Sequence, residues 1–285
     1  FDYATQHHQP CVINFSEGSP QDFRGDDQLY YELLAGLTGP GRIIVSSAGN
    51  DGAKTTYIHK GIDKERAGTF LRSKSKSFGC TAKSRQPFTF RVSIYNKVAS
   101  PKTVDVSTVR VCSSKDSLLT DSVLVDGKMY KWSVLAFPNS YNRQETAYDL
   151  RLSCKQRLGD NPKVSLQIMG RDADVELYRT SGEMLTDVLD PTLNAGDCSR
   201  TVFSPSSSPD VISVGATGYR TRFINYLNEK KVYNNGTNGV RTPFSAMGPT
   251  FDGRIKPDVM APGQNIISSY SSFYISNTHR EDGDR

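Results

Sequence analysis

Short apolar runs near the start of the chain predict buried strands. Residues 11–18 form an apolar run that ends in turn residues, and residues 42–48 form a second run of the same kind. Continuous apolar runs of this length are typical of strands covered on both faces, as in a parallel sheet. We therefore expect two neighbouring parallel strands here, joined by a right-handed crossover.

The segment between these runs predicts a helix. Four leucines have the spacing of one helical face: Leu29, Leu33, Leu34 and Leu37. Asp26 and Asp27 are the alternative N-terminal caps, and the glycines that follow Leu37 would end the helix. The chain therefore opens with a strand–helix–strand unit.

From residue 55 to residue 195 the helical period disappears and short alternating segments follow one another. The predicted strands cover residues 88–95, 103–111, 122–125, 129–135, 148–153, 163–169 and 174–178. Many short strands separated by turn signals are typical of an antiparallel β-sandwich. We interpret residues 55–195 as a β-sandwich domain inserted into an α/β domain made of residues 1–54 and 196–285.

The α/β pattern returns after the insertion. Residues 209–216 and 258–263 predict two more buried strands, and residues 234–239 predict a loop. The fold class is therefore α/β, a partial parallel sheet with helices interrupted by the inserted sandwich. Because residues 1–4 resemble the tail of a helix, we expect the sequence to be an internal piece of a longer domain.

Composition narrows the function classes. A formal charge of +5 over 285 residues, with 36% hydrophobic and 23% charged residues, is typical of a soluble globular protein. The sequence contains no basic stripe with interleaved aromatic residues, so nucleic-acid binding is not predicted. No window of the sequence is apolar enough for a membrane span. The five cysteines lack the paired spacing of a zinc site, so neither a metal nor a cofactor is predicted.

Four motifs occur in a fixed order along the chain. The first is residues 12–18, and the second is Ser-Ala-Gly-Asn-Asp-Gly at residues 47–52. The third is the strand–loop–strand of residues 201–216, and the fourth is the run from Phe244 to Gly263 with its Lys-Pro-Asp and Ala-Pro-Gly elements. Together they resemble the core of subtilisin-like serine proteases, and the resemblance covers roughly half of the chain.

The resemblance implies peptide-bond hydrolysis and gives Asn50 a role in it. In such enzymes the matching Asn donates a hydrogen bond to the oxyanion of the acyl-transfer intermediate. The alternative is a structural Asn in a glycine-flanked turn. No segment matches the catalytic Asp, His or Ser. The first two are expected before residue 1 and the third after residue 285, so the isolated chain is expected to be inactive.

The resemblance also predicts a substrate cleft. The residues that match its lining are Ser16, Glu17, Gly18, Ala48, Gly49, Asp51 and Phe203. Phe203 falls at the floor of the primary pocket and Asp51 at its rim, which predicts a shallow pocket for small side chains. Glu17 predicts a preference for a basic residue at a more distant subsite. The peptide bond between Ser204 and Pro205 is expected to be cis.

Other candidate catalytic residues lack the right context. His7 and His8 precede a strand in a polar segment and are interpreted as surface loop residues, as are the isolated His59 and His279. Ser245 and Asp258 match structural positions of the same family.

Two other functions remain open. A degenerate relative could bind peptide or glycan without catalysis, or the inserted sandwich could recognise a surface ligand of unknown identity. Otherwise the expected partner is a protein or peptide substrate. The resemblance favours a location outside the cytoplasm, either secreted or at the cell surface or in the periplasm.

Overall fold

The computed structural model describes residues 1–20, 22–95, 100–225, 227–269 and 271–278, so His279 and the polar tail lie outside the described residues. The helices are α1 (Asp2–Gln6), α2 (Asp26–Leu37), α3 (Thr108–Ser113) and α4 (Ser272–Thr278). The strands up to residue 107 are β1 (Cys11–Phe15), β2 (Arg42–Ser47), β3 (Tyr57–Lys60), β4 (Arg66–Arg72), β5 (Ser77–Ser84), β6 (Thr89–Tyr95) and β7 (Lys102–Ser107). The later strands are β8 (Leu118–Val125), β9 (Lys128–Pro138), β10 (Thr146–Cys154), β11 (Lys163–Met169), β12 (Val175–Ser181), β13 (Glu183–Leu185), β14 (Gly196–Asp197), β15 (Ile212–Gly218), β16 (Arg222–Ile224), β17 (Lys230–Val232) and β18 (Val259–Gln264). Among the described residues, no helix has the length and apolar character that crossing a membrane requires.

A four-stranded parallel sheet has the order β1–β2–β15–β18. Helix α2 connects its first two strands, which confirms the predicted strand–helix–strand unit. The outer strands are less buried than the sequence predicts, because each lies at an edge of this sheet. Val12 on β1 is 62% exposed and Val259 on β18 is 50% exposed.

Helix α2 buries one of the four leucines predicted for its buried face, Leu34, but not the other three. Its buried residues are Asp27, Tyr31 and Leu34, whereas Leu29 and Leu33 are each 60% exposed. The predicted caps are also wrong. The Asp22 carboxylate accepts hydrogen bonds from the backbone N–H groups of residues 24, 25 and 26, so it satisfies donors at the start of the helix from outside.

Two antiparallel sheets occupy most of the region between residues 57 and 197. One has seven strands in the order β14–β3–β12–β5–β10–β9–β8, and the other has five in the order β13–β4–β11–β6–β7. Alternate residues on both sheets, among them Phe78 and Leu150 on the first and Phe90 and Leu166 on the second, form one shared hydrophobic core. The antiparallel architecture therefore agrees with the prediction, whereas its standing as a separate inserted domain stays a prediction.

Some of the strand predictions in this region are confirmed and others are wrong. β11 has the predicted bounds, but residues 103–111 divide into β7 and α3. Thr108 marks the break, because its hydroxyl accepts from Phe88 N at 2.9 Å and donates to Phe88 O at 2.8 Å. The sequence interpretation missed β3, β4 and β5, and it took His59 for a loop residue although His59 lies in β3.

A cluster of aromatic residues joins the parallel sheet region to the antiparallel sheets. Phe23, which follows β1, packs against Tyr178 of β12 and Phe251, with ring centroids 5.0 and 5.6 Å apart. Tyr141 packs on Phe251 at 4.2 Å, and Tyr57 on Tyr178 at 5.2 Å. This buried cluster contains side chains from both parts of the molecule, so the two parts share a well-packed interface.

Candidate active site

The segment after β2 carries Asn50 at the surface. Ala48 N donates to Val214 O at 2.9 Å, which continues the parallel sheet to the end of β2. Gly49 has a φ of 117°, a left-handed conformation that glycine adopts at little cost. Asn50 follows with an exposed side chain. An exposed amide directly after the end of a sheet strand is accessible to a bound ligand.

Backbone hydrogen bonds hold the Asn50 segment against a second loop. Ala246 N donates to Gly49 O at 3.0 Å, and Gly52 N donates to Phe244 O at 2.9 Å. These two bonds flank Asn50 on either side along the chain. The backbone of Asn50 is therefore fixed by the loop that begins the fourth sequence motif.

Three of the predicted cleft residues come together. A methyl group placed on Gly18 would lie 3.3 Å from Phe203 Cβ, and one placed on Gly49 would lie 3.8 Å from Phe203 Cδ2. The Phe203 side chain thus lies between Gly18 and Gly49, although these residues are far apart in sequence. Ala48 is buried beside them, and Ser16 and Glu17 are exposed before Gly18.

Reciprocal backbone bonds connect the walls of this region. Ser19 N donates to Ser204 O at 2.9 Å and Ser204 N donates to Ser19 O at 3.2 Å, a pairing typical of neighbouring strands. A groove of about 490 Å³ follows this pairing, and it is lined by Phe15, Glu17, Gly18, Ser19, Tyr30, Ser204 and Pro205. The Ser204–Pro205 peptide bond is cis, as predicted.

Buried polar groups of α2 support the groove from behind. The Tyr31 hydroxyl shares a hydrogen bond of 2.6 Å with Ser207 Oγ, and Asp22 N donates to Asp27 Oδ2 at 2.7 Å. Burial raises the pKa of the Asp27 carboxyl. Burial, together with the charge of Asp27, raises the pKa of Tyr31 to about 12. These side chains therefore connect the helix to the loop that carries Phe203 and Ser204.

Asp51 is buried rather than placed at an open rim. Its Oδ2 accepts from Arg179 NH2 at 2.9 Å and its Oδ1 accepts from Lys54 Nζ at 2.6 Å. Arg179 belongs to β12, 128 residues further along the chain. Because both carboxylate oxygens of Asp51 already accept hydrogen bonds from cationic side chains, we do not expect Asp51 to bind a substrate side chain strongly. Sequence reasoning missed Arg179, since no local pattern connects the two positions.

The residues that the sequence analysis did not assign to catalysis lie at the surface or make structural hydrogen bonds. His7 and His8 are exposed next to α1. Ser245 is buried in a loop, where its Oγ accepts from Ala216 N at 2.9 Å. Asp258 accepts from Ser213 N at 2.7 Å and pairs with Lys256 at 2.6 Å. In the part of the chain that the structure describes, no group of three or more His, Cys, Asp or Glu side chains could hold a metal ion.

A second groove lies on the seven-stranded sheet, and it shares no lining residue with the groove beside Gly18. It has a volume of about 840 Å³ and is lined by hydroxyl-bearing and charged residues with a few apolar ones: Ser77, Phe78, Gly79, Thr120, Asp121, Ser122, Lys131, Trp132, Ser133, Arg151, Leu152, Ser153, Thr180 and Ser181. A recognition role for these antiparallel sheets stays a prediction, and a binding screen of residues 55–195 would test it.

Comparison with known proteins supports the predicted resemblance. Residues 191–283 match the Subtilase family, Peptidase_S8. Serine protease AprX of Bacillus subtilis (strain 168) is 40% identical over 75 residues, which is 26% of this chain and 14% of AprX. The uncharacterized protein aq_aa18 of Aquifex aeolicus (strain VF5) is 40% identical over 84 residues, which is 30% of this chain and 33% of that protein.

A solved structure has a similar fold. The CspB protease of Clostridium perfringens superposes with a TM-score of 0.64 over 95% of this chain and 52% of its own, at 17% sequence identity. This likeness covers the antiparallel sheets as well as the parallel one. The chain thus spans about half of that structure and a third or less of the two sequence relatives.

Proposed function

From the match of residues 191–283 to the Subtilase family, we propose that this chain is part of a serine endopeptidase that hydrolyses peptide bonds. The observation that supports this proposal best is the meeting of Gly18, Gly49 and Phe203 beside an exposed Asn50. Four separate sequence motifs contribute to that arrangement, since the Gly49 carbonyl is also bound by Ala246. The chain would supply the oxyanion donor and the cleft walls.

The proposed chemistry needs a nucleophile and a base from elsewhere in the protein. A serine hydroxyl would attack the substrate carbonyl while a histidine accepts its proton and an aspartate orients the histidine. We place these three residues outside residues 1–285, with Asp and His before the chain and Ser after it. The isolated chain would then be inactive, and reading the complete gene for the three residues tests their placement.

Asn50 would act on the charge that develops during attack. Its side-chain amide would donate a hydrogen bond to the oxyanion, more strongly than to the uncharged carbonyl. Loss of such a donor lowers kcat by about 10²–10³-fold, the effect known for the corresponding residue of subtilisin itself. Substrate binding in the ground state depends little on this contact, so KM should change much less.

The test is Asn50→Ala in the protein that the complete gene encodes, with peptide hydrolysis as the assay. We expect kcat to fall by about 100-fold or more with KM nearly unchanged. Asn194→Ala is the matched control, because Asn194 is an exposed amide in a different part of the chain. An active protease whose kcat is unaffected by Asn50→Ala would disprove the oxyanion role. A complete protein without peptidase activity would favour the non-enzymatic peptide- or glycan-binding alternative.

Phe203 would restrict the primary pocket. Its side chain lies between Gly18 and Gly49. If these glycines line the pocket, as we propose, the ring would fill space that a large substrate side chain needs. We therefore expect small residues at the primary position, with steric exclusion as the cause. Phe203→Gly should shift the preference of the complete protein toward large aromatic residues in a peptide library. An aromatic preference in the unmodified protein that Phe203→Gly leaves unchanged would contradict this argument.

Glu17 would act at a more distant subsite. It is exposed in the groove beside Gly18 and Tyr30, where it can approach a substrate side chain. A basic residue should be preferred there, although an exposed charge pair contributes only about 0–1 kcal/mol. The same peptide library reads out this preference, and Glu17→Gln should weaken it. A location outside the cytoplasm also stays a proposal, which fractionation of the source cells tests.

A further inference from the structure

Arg179 makes three contacts from one guanidinium group. NH2 donates to Asp51 Oδ2 at 2.9 Å, Nε to Thr55 O at 3.3 Å and NH1 to Gly182 O at 2.8 Å. Two of these acceptors belong to the segment after β2, and the third belongs to the antiparallel sheets. A bulge in the pairing of β12 with β5 lies directly after Arg179, and bulges often redirect a side chain beside a functional site.

The pair between Arg179 and Asp51 is nearly inaccessible to solvent. The two side chains are 11% and 12% exposed, whereas the other partner of Asp51, Lys54, is 61% exposed. A buried charge pair with full hydrogen bonding is screened little and holds its partners in a defined geometry. The planar fork of arginine suits several acceptors at once, which lysine cannot reproduce.

Asp51 directly follows Asn50, so its position limits the position of Asn50. The loop at residues 244–246 holds the backbone on one side, through the bonds to Gly49 O and from Gly52 N. Arg179 holds the same segment through the Asp51 side chain and the Thr55 carbonyl. An oxyanion donor is effective only when it is fixed close to the place where charge develops.

We propose that Arg179 is a positioning residue for Asn50, through which the antiparallel sheets contribute to the geometry of the oxyanion site. This inference rests on the proposed role of Asn50. It predicts that Arg179, a residue outside the parallel sheet, affects kcat. A purely structural pair would instead stabilise the contact between the two parts of the molecule without any specific effect on the donor.

A double-mutant cycle between Arg179 and Asn50 tests the proposal in the protein that the complete gene encodes. Arg179→Met should lower kcat by about 10–100-fold, because small displacements of a catalytic group have effects of this size. KM should change little. In the Asn50→Ala background, Arg179→Met should cause no further fall in kcat, because the residue that it positions is gone. Arg179→Lys should restore kcat only in part.

Arg91→Met is the matched control. Arg91 pairs with Asp105 on the same antiparallel part, but at an exposed site that involves neither Asn50 nor the segment after β2. It removes the same charge and should leave kcat unchanged. Thermal unfolding of every variant shows whether the protein is folded. If Arg179→Met is not folded, the cycle is run with Arg179→Lys, which keeps the charge.

The outcomes are distinct. Equal falls in kcat on the two backgrounds, or no fall in a folded Arg179 variant, overturn the positioning role while leaving the role of Asn50 intact. An unchanged kcat in Asn50→Ala alone overturns the proposed function, and the inference fails with it. A fall that occurs only when Asn50 is present supports both.

Discussion

Gly52 lies where the segment after β2 passes closest to the loop of the fourth motif. A methyl group at this position would lie 1.9 Å from Ser245 O and 2.5 Å from Ser245 C, both backbone atoms that cannot rotate away. The contact brings Gly52 N within 2.9 Å of Phe244 O. Glycine is therefore required here by close approach of two backbones, two residues from Asn50.

We predict that Gly52→Ala separates these two segments. Overpacking of this kind lowers the free energy of unfolding by about 1–3 kcal/mol. Displacement of Asn50 should also lower kcat. Gly36→Ala is the control, because nothing lies within 4 Å of a methyl group there and alanine is the better helix former. Urea unfolding and peptide hydrolysis, both in the protein that the complete gene encodes, measure the two effects. Equal stability of the two variants would show that the backbones separate without cost.

At the scale of elements, Glu176 of β12 connects the two neighbouring strands of its own sheet, β3 and β5, with Arg200, which follows that sheet in the chain. Lys83 Nζ lies 2.7 Å from Glu176 Oε2, Arg200 NH2 lies 3.3 Å from Oε1, and the Tyr57 hydroxyl donates to Oε1. Burial opposes ionisation of Glu176, but the charge and hydrogen bond of Lys83, with Tyr57 and Arg200, lower its pKa below 4.5. The carboxylate therefore stabilises the folded state in its charged form.

We predict that Glu176→Gln destabilises the protein at neutral pH by about 2–3 kcal/mol. This is less than the ~3–5 kcal/mol for fully buried pairs, since the Glu176 side chain is 20% exposed. Because the folded pKa is lowered, the stabilisation is complete above the unfolded value and is lost as the pH falls through the folded one. The difference between the two proteins in urea unfolding should therefore shrink below pH 4.5.

Glu183→Gln provides the comparison for this prediction. Glu183 pairs with Arg72 at a site where both side chains are about half exposed, 49% and 45%, so its replacement should change stability little. A Glu176→Gln difference that stays constant across this pH range would show that packing, rather than charge, accounts for the contribution of Glu176 to stability.

The sequence predicts that helix α2 exists, but it does not predict which face of the helix is buried. The predicted leucines at 29, 33, 34 and 37 and the buried residues at 27, 31 and 34 both follow helical spacing and share Leu34, so periodicity alone fits either face. The structure buries the second set because Tyr31 reaches Ser207 and Asp27 receives Asp22 N. Ser207 lies 176 residues from Tyr31, and a local hydrophobic pattern contains neither this distant partner nor the polar contact of Asp27 with Asp22.

The candidate site, like helix α2, was predictable from local sequence but not in its long-range contacts. Asn50, Gly18, Gly49 and Phe203 could be found because each lies in a motif whose residues are contiguous. Arg179 could not, because its contacts with Asp51 and Thr55 depend on how the sheets pack together. The exposed edges of the parallel sheet were missed for a similar reason, since strand order is a property of the tertiary structure.

At the scale of the whole molecule, two features of the antiparallel sheets agree with the prediction of an inserted domain. Their shared core consists of residues between Ile58 and Met184, with Ala195 packed against it. The ends of this region lie together, since β14 pairs with β3 through Gly196 and Ile58. Closely spaced ends and an independent core are what an inserted domain requires.

We predict that residues 55–197 fold when expressed without the rest of the chain. Urea unfolding should be cooperative, and Leu166→Ala in the core should cost about 2–5 kcal/mol, since Leu166 is 1% exposed. The isolated piece would expose the aromatic face around Tyr57 and Tyr178 and should therefore self-associate. Tyr178→Thr should reduce that association in sedimentation experiments without loss of cooperativity. Gradual, non-cooperative unfolding would instead mean that Phe23 and Phe251 complete the core, so that both parts of the molecule fold as one unit.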